Sequence, residues 1–232
     1  MSICIIPARG GSKRIPRKNI RNFCGRPMIA WPIRAAIDSG CFERIIVSTD
    51  DDEIAEVAER YGAEVPFRRD AELADDHTPT VPVIADAINR LDVQRRTPVC
   101  CLYSTSPFVT SADLREGLER LENTNAPFVL SVTNFAFPIQ RALRRDVSGK
   151  VEMFDAAQMQ TRSQDLEEAW HDAGQFYWGY AESWASGSGI FESGAHGLKL
   201  PRHRVQDIDT EEDWRQAELK MRALQMDDGA WK

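Results

Sequence analysis

The feature that most constrains the fold is the start of the chain, where a short apolar strand runs directly into a basic loop that contains two adjacent glycines. The predicted strand covers Ile3 to Ile6, and residues 7–19 are Pro-Ala-Arg-Gly-Gly-Ser-Lys-Arg-Ile-Pro-Arg-Lys-Asn. Adjacent glycines let backbone N–H groups approach an anion, because no Cβ stands in the way. In open α/β sheets, ligands bind beyond the carboxyl ends of the strands. The stretch therefore predicts an α/β sheet with a polyphosphate site at its carboxyl edge.

The charge distribution indicates what kind of ligand this loop binds. Residues 1–37 contain eight Lys or Arg and none of the 36 acidic residues, and the whole chain has a net charge of −7. A cationic island on an acidic protein favours a small anionic ligand, whereas nucleic-acid binding normally needs a broad basic face. The loop lacks G-x-x-x-x-G-K-[ST] and G-x-G-x-x-G, which excludes a Walker loop and a dinucleotide fingerprint. The alternative is a solvated basic loop whose glycines serve only for turning.

Apolar strands and helical segments alternate over the rest of the chain. Buried strands are predicted at 44–49, 98–103 and 127–133, and a short strand at 61–67. Helices are predicted at 28–39 and 81–91, from the acidic residues 50–53 through Arg60, and after Thr110, and a last helix extends to about 225. This βαβ rhythm predicts a three-layer α/β/α sandwich with a mainly parallel sheet. The length of 232 residues, of which 42% are hydrophobic, fits a single domain over residues 1–232.

Several of the predicted helices begin at recognisable N-caps. Acidic residues 50–53 open the helix that runs through Arg60, Thr110 is followed three residues later by Asp113, and Thr210 is followed three residues later by Asp213. Such pairs satisfy the free N–H groups of a first helical turn. Capping therefore explains Asp213 without a catalytic role.

Residues from about 135 to 165 interrupt the alternation with aromatics, paired arginines and polar residues that follow no clear period. We predict an inserted arm there. A mobile lid on its own subunit is one interpretation of such an arm.

Two sets of polar residues are further candidates for ligand contacts. Ser104 and Thr105 come after the strand at 98–103, where their hydroxyls either bond a sugar or form a turn. Asp207 and Asp209 are two residues apart, so that in a strand both carboxylates face one side and could hold one cation. The sequence therefore offers a carboxylate pair as a metal-site candidate.

Composition also bears on the compartment. The five cysteines lack C-x-x-C spacing, which predicts reduced, structural thiols. No apolar run approaches the roughly 20 residues that span a bilayer, and the first strand is too short for a signal peptide. We expect a cytoplasmic protein without a membrane or nucleic-acid partner.

The opening motif resembles that of a known family. Residues 6–19, Ile-Pro-Ala-Arg-Gly-Gly-Ser-Lys-Arg-Ile-Pro-Arg-Lys-Asn, are similar to the opening motif of the acylneuraminate cytidylyltransferases, which include the CMP-sialic-acid synthetases. Later blocks resemble the same family in order over nearly the whole chain. The resemblance implies a nucleotidyltransferase with a nucleotide-diphospho-sugar transferase-like fold, which transfers CMP from CTP to the anomeric hydroxyl of a nine-carbon keto sugar acid and releases pyrophosphate. It also implies Mg²⁺ as cofactor and a homodimer formed through the arm.

The resemblance and the charges of the loop together assign roles to residues. The predicted CTP-binding residues are Ala8, Arg9, Gly10, Ser12, Asn19, Arg69 and Thr80. The predicted catalytic residues, which offset charge on the phosphates, are Arg9, Lys13 and Lys18. The predicted sugar-binding residues are Tyr103, Ser104, Thr105, Arg162, Gln175 and Tyr177, and the predicted Mg²⁺ ligands are Asp207 and Asp209.

The chain departs from the family pattern at positions that bind the cytosine and the sugar in that family. Asp70 stands where the family commonly has Pro after the cytosine-binding Arg, which leaves open whether Arg68 or Arg69 makes that contact. Tyr103 stands where the family has a sugar-binding Gln, and residues 171–178, His-Asp-Ala-Gly-Gln-Phe-Tyr-Trp, resemble the corresponding block of the pseudaminic acid cytidylyltransferases. Pseudaminic acid is then the implied substrate, with N-acetylneuraminic and legionaminic acids as alternatives. A nucleotide-binding protein without turnover and a nucleic-acid binder are the competing functions from other classes.

Overall fold

The computed structural model describes residues 2–187, 189–192 and 194–227, in which strands and helices alternate as the sequence predicts. In chain order the elements are β1 (Ile3–Pro7), β2 (Asn22–Phe23), β3 (Arg26–Pro27), α1 (Ala30–Ser39), β4 (Arg44–Ser48), α2 (Asp52–Arg60), α3 (Thr80–Arg90), β5 (Pro98–Leu102), α4 (Ser111–Asn123), β6 (Phe128–Asn134), β7 (Leu143–Arg145), β8 (Val151–Met153), β9 (Trp170–Tyr180), α5 (Ala181–Ala185), β10 (His196–Lys199) and α6 (Glu211–Asp227).

Within the described residues, the main sheet has six strands in the order β10-β6-β9-β5-β1-β4. β1 runs parallel to β4 and β5, and β10 runs parallel to β6. β9 is antiparallel to both of its neighbours, β5 and β6. The predicted, mainly parallel sheet is thus confirmed, with β9 as its antiparallel member. The amino end of β9 consequently lies at the same edge as the carboxyl ends of the other strands, which is the edge where α/β sheets bind ligands.

Apolar clusters on both faces of the sheet produce the three layers. Successive side chains of a strand point to opposite faces, and accordingly Ile6 of β1 belongs to one cluster and Ile5 to the other. The first cluster includes residues of α1, α2 and α4, and the second includes residues of α3 and α5. Because both faces are covered, strand β5 is apolar and fully buried from Val99 to Leu102.

The predicted helix caps are confirmed. The Asp51 carboxylate accepts from the Ile54 N–H at 2.9 Å at the start of α2, and Thr110 forms a capping box with Asp113 at the start of α4. Asp213 accepts from the Thr210 N–H at 2.8 Å before α6. These bonds satisfy N–H groups that have no partner inside the helix.

Two local predictions need correction. The short strand predicted at 61–67 is reduced to isolated bridges, Ile46 to Glu64 and Thr49 to Arg68. Pro66 lies between them and has no N–H with which to continue a ladder. The helix predicted from residue 28 begins at Ala30.

The chain between β6 and β9 forms an exposed arm, in the region predicted as an insertion. β7 and β8 pair there as a separate antiparallel hairpin. Large apolar side chains of the arm face outward, with Phe137 83% and Phe154 65% exposed. An apolar surface of this kind is typical of a contact with another protein surface.

The structure also bears on the expectations about thiols and membranes. All five cysteines are free. None of the helices in the described part of the chain combines the length and the apolar character that crossing a membrane requires.

Candidate active site

A cavity of about 500 Å³ lies at the carboxyl edge of the sheet, beside the ends of β1 and β5. It brings together most of the residues that were predicted to bind CTP or act on it. The predicted residues that line it are Arg9, Ser12, Lys13, Lys18, Asn19, Arg69, Thr80, Tyr103, Ser104 and Thr105. The cavity is thus lined by residues that are far apart in sequence, at the edge where the sequence predicted a site.

Backbone and amide hydrogen bonds hold the basic loop in place. The Asn19 amide donates to the Arg9 carbonyl and accepts from the Ser104 hydroxyl, both at 2.9 Å, which ties the loop to the end of β5. The Gly10 N–H donates to Asp50 at 2.9 Å. A Cβ on Gly10 would lie 2.7 Å from a carboxylate oxygen of Asp51, so the position has no room for a side chain. Gly10 therefore shapes the loop without lining the cavity.

A carboxylate from another loop already contacts two of the predicted phosphate-binding cations. Asp76 accepts from Arg9 at 2.5 Å and from Lys13 at 2.5 Å. Hydrogen bonds from Lys13 and Arg9 lower the pKa of Asp76 to about 2. Arg9 also donates to the Asp75 carbonyl at 2.8 Å. Sequence reasoning missed Asp76, whose only signal was its place in an acidic loop before α3.

Lys18 links the basic loop to the predicted metal ligands. Its ammonium donates to the Ile208 carbonyl at 2.8 Å and contacts Asp209 at 3.4 Å, and its side chain is only 20% exposed. Arg14 also pairs with Asp209 at 2.9 Å. The structure therefore brings Asp209 beside the cavity, across about 190 residues of sequence.

The carboxylate pair suits a divalent cation. Among the described residues, no Lys, Arg or His lies within ion-pair distance of the Asp207 carboxylate. Partial desolvation and the charge of Asp209 raise the pKa of Asp207, and the charge of Lys18 offsets part of that rise. No cluster of three or more acidic, His or Cys side chains suited to a metal occurs in the described part of the chain. Mg²⁺ commonly uses only one or two carboxylates, together with substrate phosphates and water, so the two residues fit it.

The structure distinguishes between the two arginines that the sequence left open. The Arg69 side chain lines the cavity, is 6% exposed, and donates to the hydroxyl and carbonyl oxygens of Ser48. Burial lowers the pKa of Arg69. Arg68 instead pairs with Asp52 at 2.8 Å on the surface. Arg69 is therefore the one placed to contact a ligand in the cavity.

Two tyrosines form a wall that extends from the cavity into the protein. The hydroxyls of Thr80 and Tyr103 are 2.8 Å apart, and the Tyr103 and Tyr177 rings meet edge to face with centroids 5.6 Å apart. The Tyr177 hydroxyl donates to the Asp172 carboxylate. Burial raises the pKa of Tyr103 to about 12 and raises that of Tyr177 as well, so both phenols are protonated at neutral pH.

A second cavity, of about 440 Å³, lies beside the amino end of β9. Trp170, His171 and Asp172 line it, together with Phe191 and Lys199. The Lys199 ammonium lies 4.8 Å from the centre of the Trp170 ring. Asp172 connects this cavity to the tyrosine wall of the first one. Sequence reasoning had singled out residues 171–178 but missed Trp170, Phe191 and Lys199, which follow no motif.

The other predicted residues lie outside these two cavities. Arg162 is in the arm and pairs with Asp165 at 2.7 Å. Gln175 is 2% exposed and donates to the Arg204 carbonyl at 2.5 Å. Tyr177 is buried in the wall described above, and Ala8 is buried behind the basic loop. The ligand-binding roles assigned to these side chains stay predictions.

Comparison with known proteins adds independent information. Residues 3–207 match the family model described as cytidylyltransferase. The chain is 45% identical over 214 residues to the pseudaminic acid cytidylyltransferase of Campylobacter jejuni subsp. jejuni serotype O:23/36 (strain 81-176), which covers 91% of this chain and 92% of that protein. It is 33% identical to N-acylneuraminate cytidylyltransferase B of Danio rerio, over 94% of this chain and 50% of that protein.

A solved structure has the same fold. The structure of CMP:2-keto-3-deoxy-manno-octonic acid synthetase complexed with CTP superposes with a TM-score of 0.71 over 96% of this chain and 98% of that chain, at 14% identity. The fold predicted from the sequence is thus confirmed.

Proposed function

The chain belongs to the cytidylyltransferase family, a group of nucleotidyltransferases, and from this premise we propose that it transfers CMP from CTP to the anomeric hydroxyl of pseudaminic acid, with Mg²⁺ as cofactor. The observation that carries the proposal is the convergence of Arg9, Lys13 and Lys18 in one cavity with Arg69 and Thr80. Such a cavity offers cations to a triphosphate at one end and polar partners to a base at the other.

The proposed reaction needs no covalent enzyme intermediate. The anomeric oxygen gives its proton to a water molecule and attacks the α-phosphorus, the bond from that phosphorus to the bridging oxygen breaks, and pyrophosphate leaves with the electron pair. Negative charge grows on the leaving group during this step. Lys18, with its low exposure, is well suited to offset that charge, because charges act more strongly where water is excluded.

In this proposal Asp207 and Asp209 hold Mg²⁺. The ion would supply positive charge beside the phosphates and help to orient them. The support is that no ion pair of the described residues involves Asp207, together with the position of Asp209 against Lys18 and Arg14. Arg14 and Lys18 hold the Asp209 carboxylate at the edge of the cavity.

We further propose that the sugar acid occupies the second cavity and reaches the first one along the wall of Tyr103 and Tyr177. Pseudaminic acid carries a terminal methyl group and a second acylamino group where sialic acid has hydroxyls. Trp170 and Phe191 give this cavity apolar surface, while Lys199 supplies a cation for an acid substrate. The relative with 45% identity, named for pseudaminic acid, supports the same substrate.

The arm supports a further part of the proposal, a homodimer. Its exposed Phe137 and Phe154 would be buried against a second copy of the chain. A lid on the same subunit is the alternative.

The test is pyrophosphate release from CTP with purified protein, Mg²⁺ and one of three acids: pseudaminic, N-acetylneuraminic or legionaminic. We expect kcat/KM for pseudaminic acid at least roughly a hundredfold above that for N-acetylneuraminic acid, which corresponds to about 2.7 kcal/mol of transition-state binding. Equal or better turnover of another acid would refute pseudaminic acid as the preferred substrate, but it would not contradict the cytidylyltransferase activity. No release with any acid would refute the reaction itself.

A further inference from the structure

The segment that carries Asp207 and Asp209 lies outside the helices and strands, and distant side chains hold its backbone instead. Gln175 of β9 donates to the Arg204 carbonyl at 2.5 Å. Lys220 of α6 donates to the Val205 carbonyl at 2.8 Å, and Lys18 donates to the Ile208 carbonyl at 2.8 Å. Side chains from β9, from α6 and from the basic loop therefore fix a segment that has no strand ladder of its own.

Arg204 makes the firmest of the attachments at the start of this segment. Its guanidinium donates two bonds to the Asp113 carboxylate, at 2.5 and 2.9 Å, and a third to the Phe108 carbonyl at 3.3 Å. The side chains of Arg204 and Asp113 are 16% and 8% exposed, which makes this the most buried ion pair among the described residues. Asp113 is itself held by the capping box with Thr110. The pair thus docks the loop onto the start of α4.

The carboxylates of the segment need such support. Arg14 and Lys18 pair with Asp209, whereas within the described residues no Lys, Arg or His forms an ion pair with Asp207. A loop with two like charges and no regular structure would otherwise spread its carboxylates apart. A bidentate Arg–carboxylate pair in a site shielded from water restricts both distance and orientation. Removing a residue that orients a metal ligand without touching the metal commonly lowers metal affinity by 10- to 100-fold.

We infer that Arg204, docked on Asp113, is a positioning residue for the Asp207 and Asp209 carboxylates. Arg204 lines neither cavity. It acts by holding the backbone that precedes the two acids, so that both point to one place before any substrate arrives. The inference rests on the proposed function, in which those two acids hold a divalent cation.

The test compares Arg204→Met and Arg204→Lys with Val99→Ala. Val99 is fully buried in β5, at the end opposite the active-site edge, so its truncation destabilises the fold without touching the segment. Binding of Mn²⁺ to each protein is measured by electron paramagnetic resonance with CTP present and no sugar acid. The Mg²⁺ dependence of turnover and the KM for CTP at saturating Mg²⁺ are measured in parallel.

We expect Arg204→Met to weaken Mn²⁺ binding at least about tenfold and to raise the Mg²⁺ concentration for half-maximal turnover by a similar factor. The KM for CTP at saturating Mg²⁺ should change less than about threefold. Arg204→Lys, which keeps the charge and is the variant to use if Arg204→Met does not fold, should lie in between. Val99→Ala should lower the Tm and leave Mn²⁺ binding unchanged.

Two results would overturn the inference. If the Arg204 variants lose Tm like Val99→Ala but bind Mn²⁺ like the parent protein, the ion pair is structural only. If Asp209→Asn leaves Mn²⁺ binding unchanged in the parent background, the metal site of the proposed function fails together with the inference.

Discussion

Replacing Lys18 by alanine should damage turnover far more than the same change at Lys13, although both are lysines of one basic loop. The Lys18 side chain is 20% exposed and that of Lys13 is 81% exposed. Lys18 also holds the Ile208 carbonyl and contacts Asp209, whereas Lys13 contacts Asp76 of the neighbouring loop. The two substitutions therefore remove the same charge from environments of different water content.

The size of each effect follows from that difference. Losing a charge-assisted contact in a site shielded from water costs about 2–4 kcal/mol, which is roughly 30- to 900-fold in kcat/KM. Water screens the exposed Lys13, so Lys13→Ala should cost less than about tenfold. Lys18→Ala also leaves the buried Ile208 carbonyl without its donor, at about 1–3 kcal/mol of folding free energy. For a chain of this size the Tm should then fall by roughly 2–12 °C.

The assay is steady-state pyrophosphate release at 25 °C with varied CTP, saturating Mg²⁺ and saturating sugar acid. Circular dichroism at the same temperature verifies that each variant is folded. Near-parental kcat/KM in Lys18→Ala, or a loss in Lys13→Ala as large as that in Lys18→Ala, would refute the reasoning that exposure decides the contribution of each cation.

Three further outcomes are expected. Asp209→Asn should abolish Mg²⁺-dependent turnover, because an amide lacks the anionic oxygen that a hard cation prefers. Asp213→Asn should mainly lower the Tm, because Asp213 serves as a helix cap. Equal losses of turnover in the two variants would contradict the metal assignment. Asp76→Asn should lower the KM for CTP severalfold, because its carboxylate competes with phosphates for the two cations it now binds, and a raised KM would count against that competition. Phe137→Glu should convert a dimer to monomers in analytical ultracentrifugation, while the exposed Leu219→Glu on α6 should not; an unchanged dimer would remove the arm from the interface.

Much of the fold could be predicted because its signals are local. The cap of Thr110 by Asp113 spans three residues, and the glycine that ends α1, Gly40, has the left-handed φ of 66° that favours glycine. The buried strand at 98–102 could be predicted because its residues form an unbroken apolar run. The direction of β9 was not predictable in this way, because its residues suit a buried strand equally well whether it runs parallel or antiparallel to its neighbours.

In the candidate site, too, the features that could be predicted are local and the others depend on tertiary packing. By itself, the sequence determined that a strand leads into a loop of cations and glycines, and that an Asp-x-Asp pair lies near the last helix, because both are short-range patterns of residue type. Only the tertiary structure decided that Arg69 rather than Arg68 faces the cavity, and that Asp76 contacts Arg9 and Lys13. The reason is physical. Burial, screening and ion pairing depend on which side chains the packed layers bring together, and the Lys18 to Asp209 contact, which joins residues about 190 apart, exists only once the sheet and the last helix have assembled.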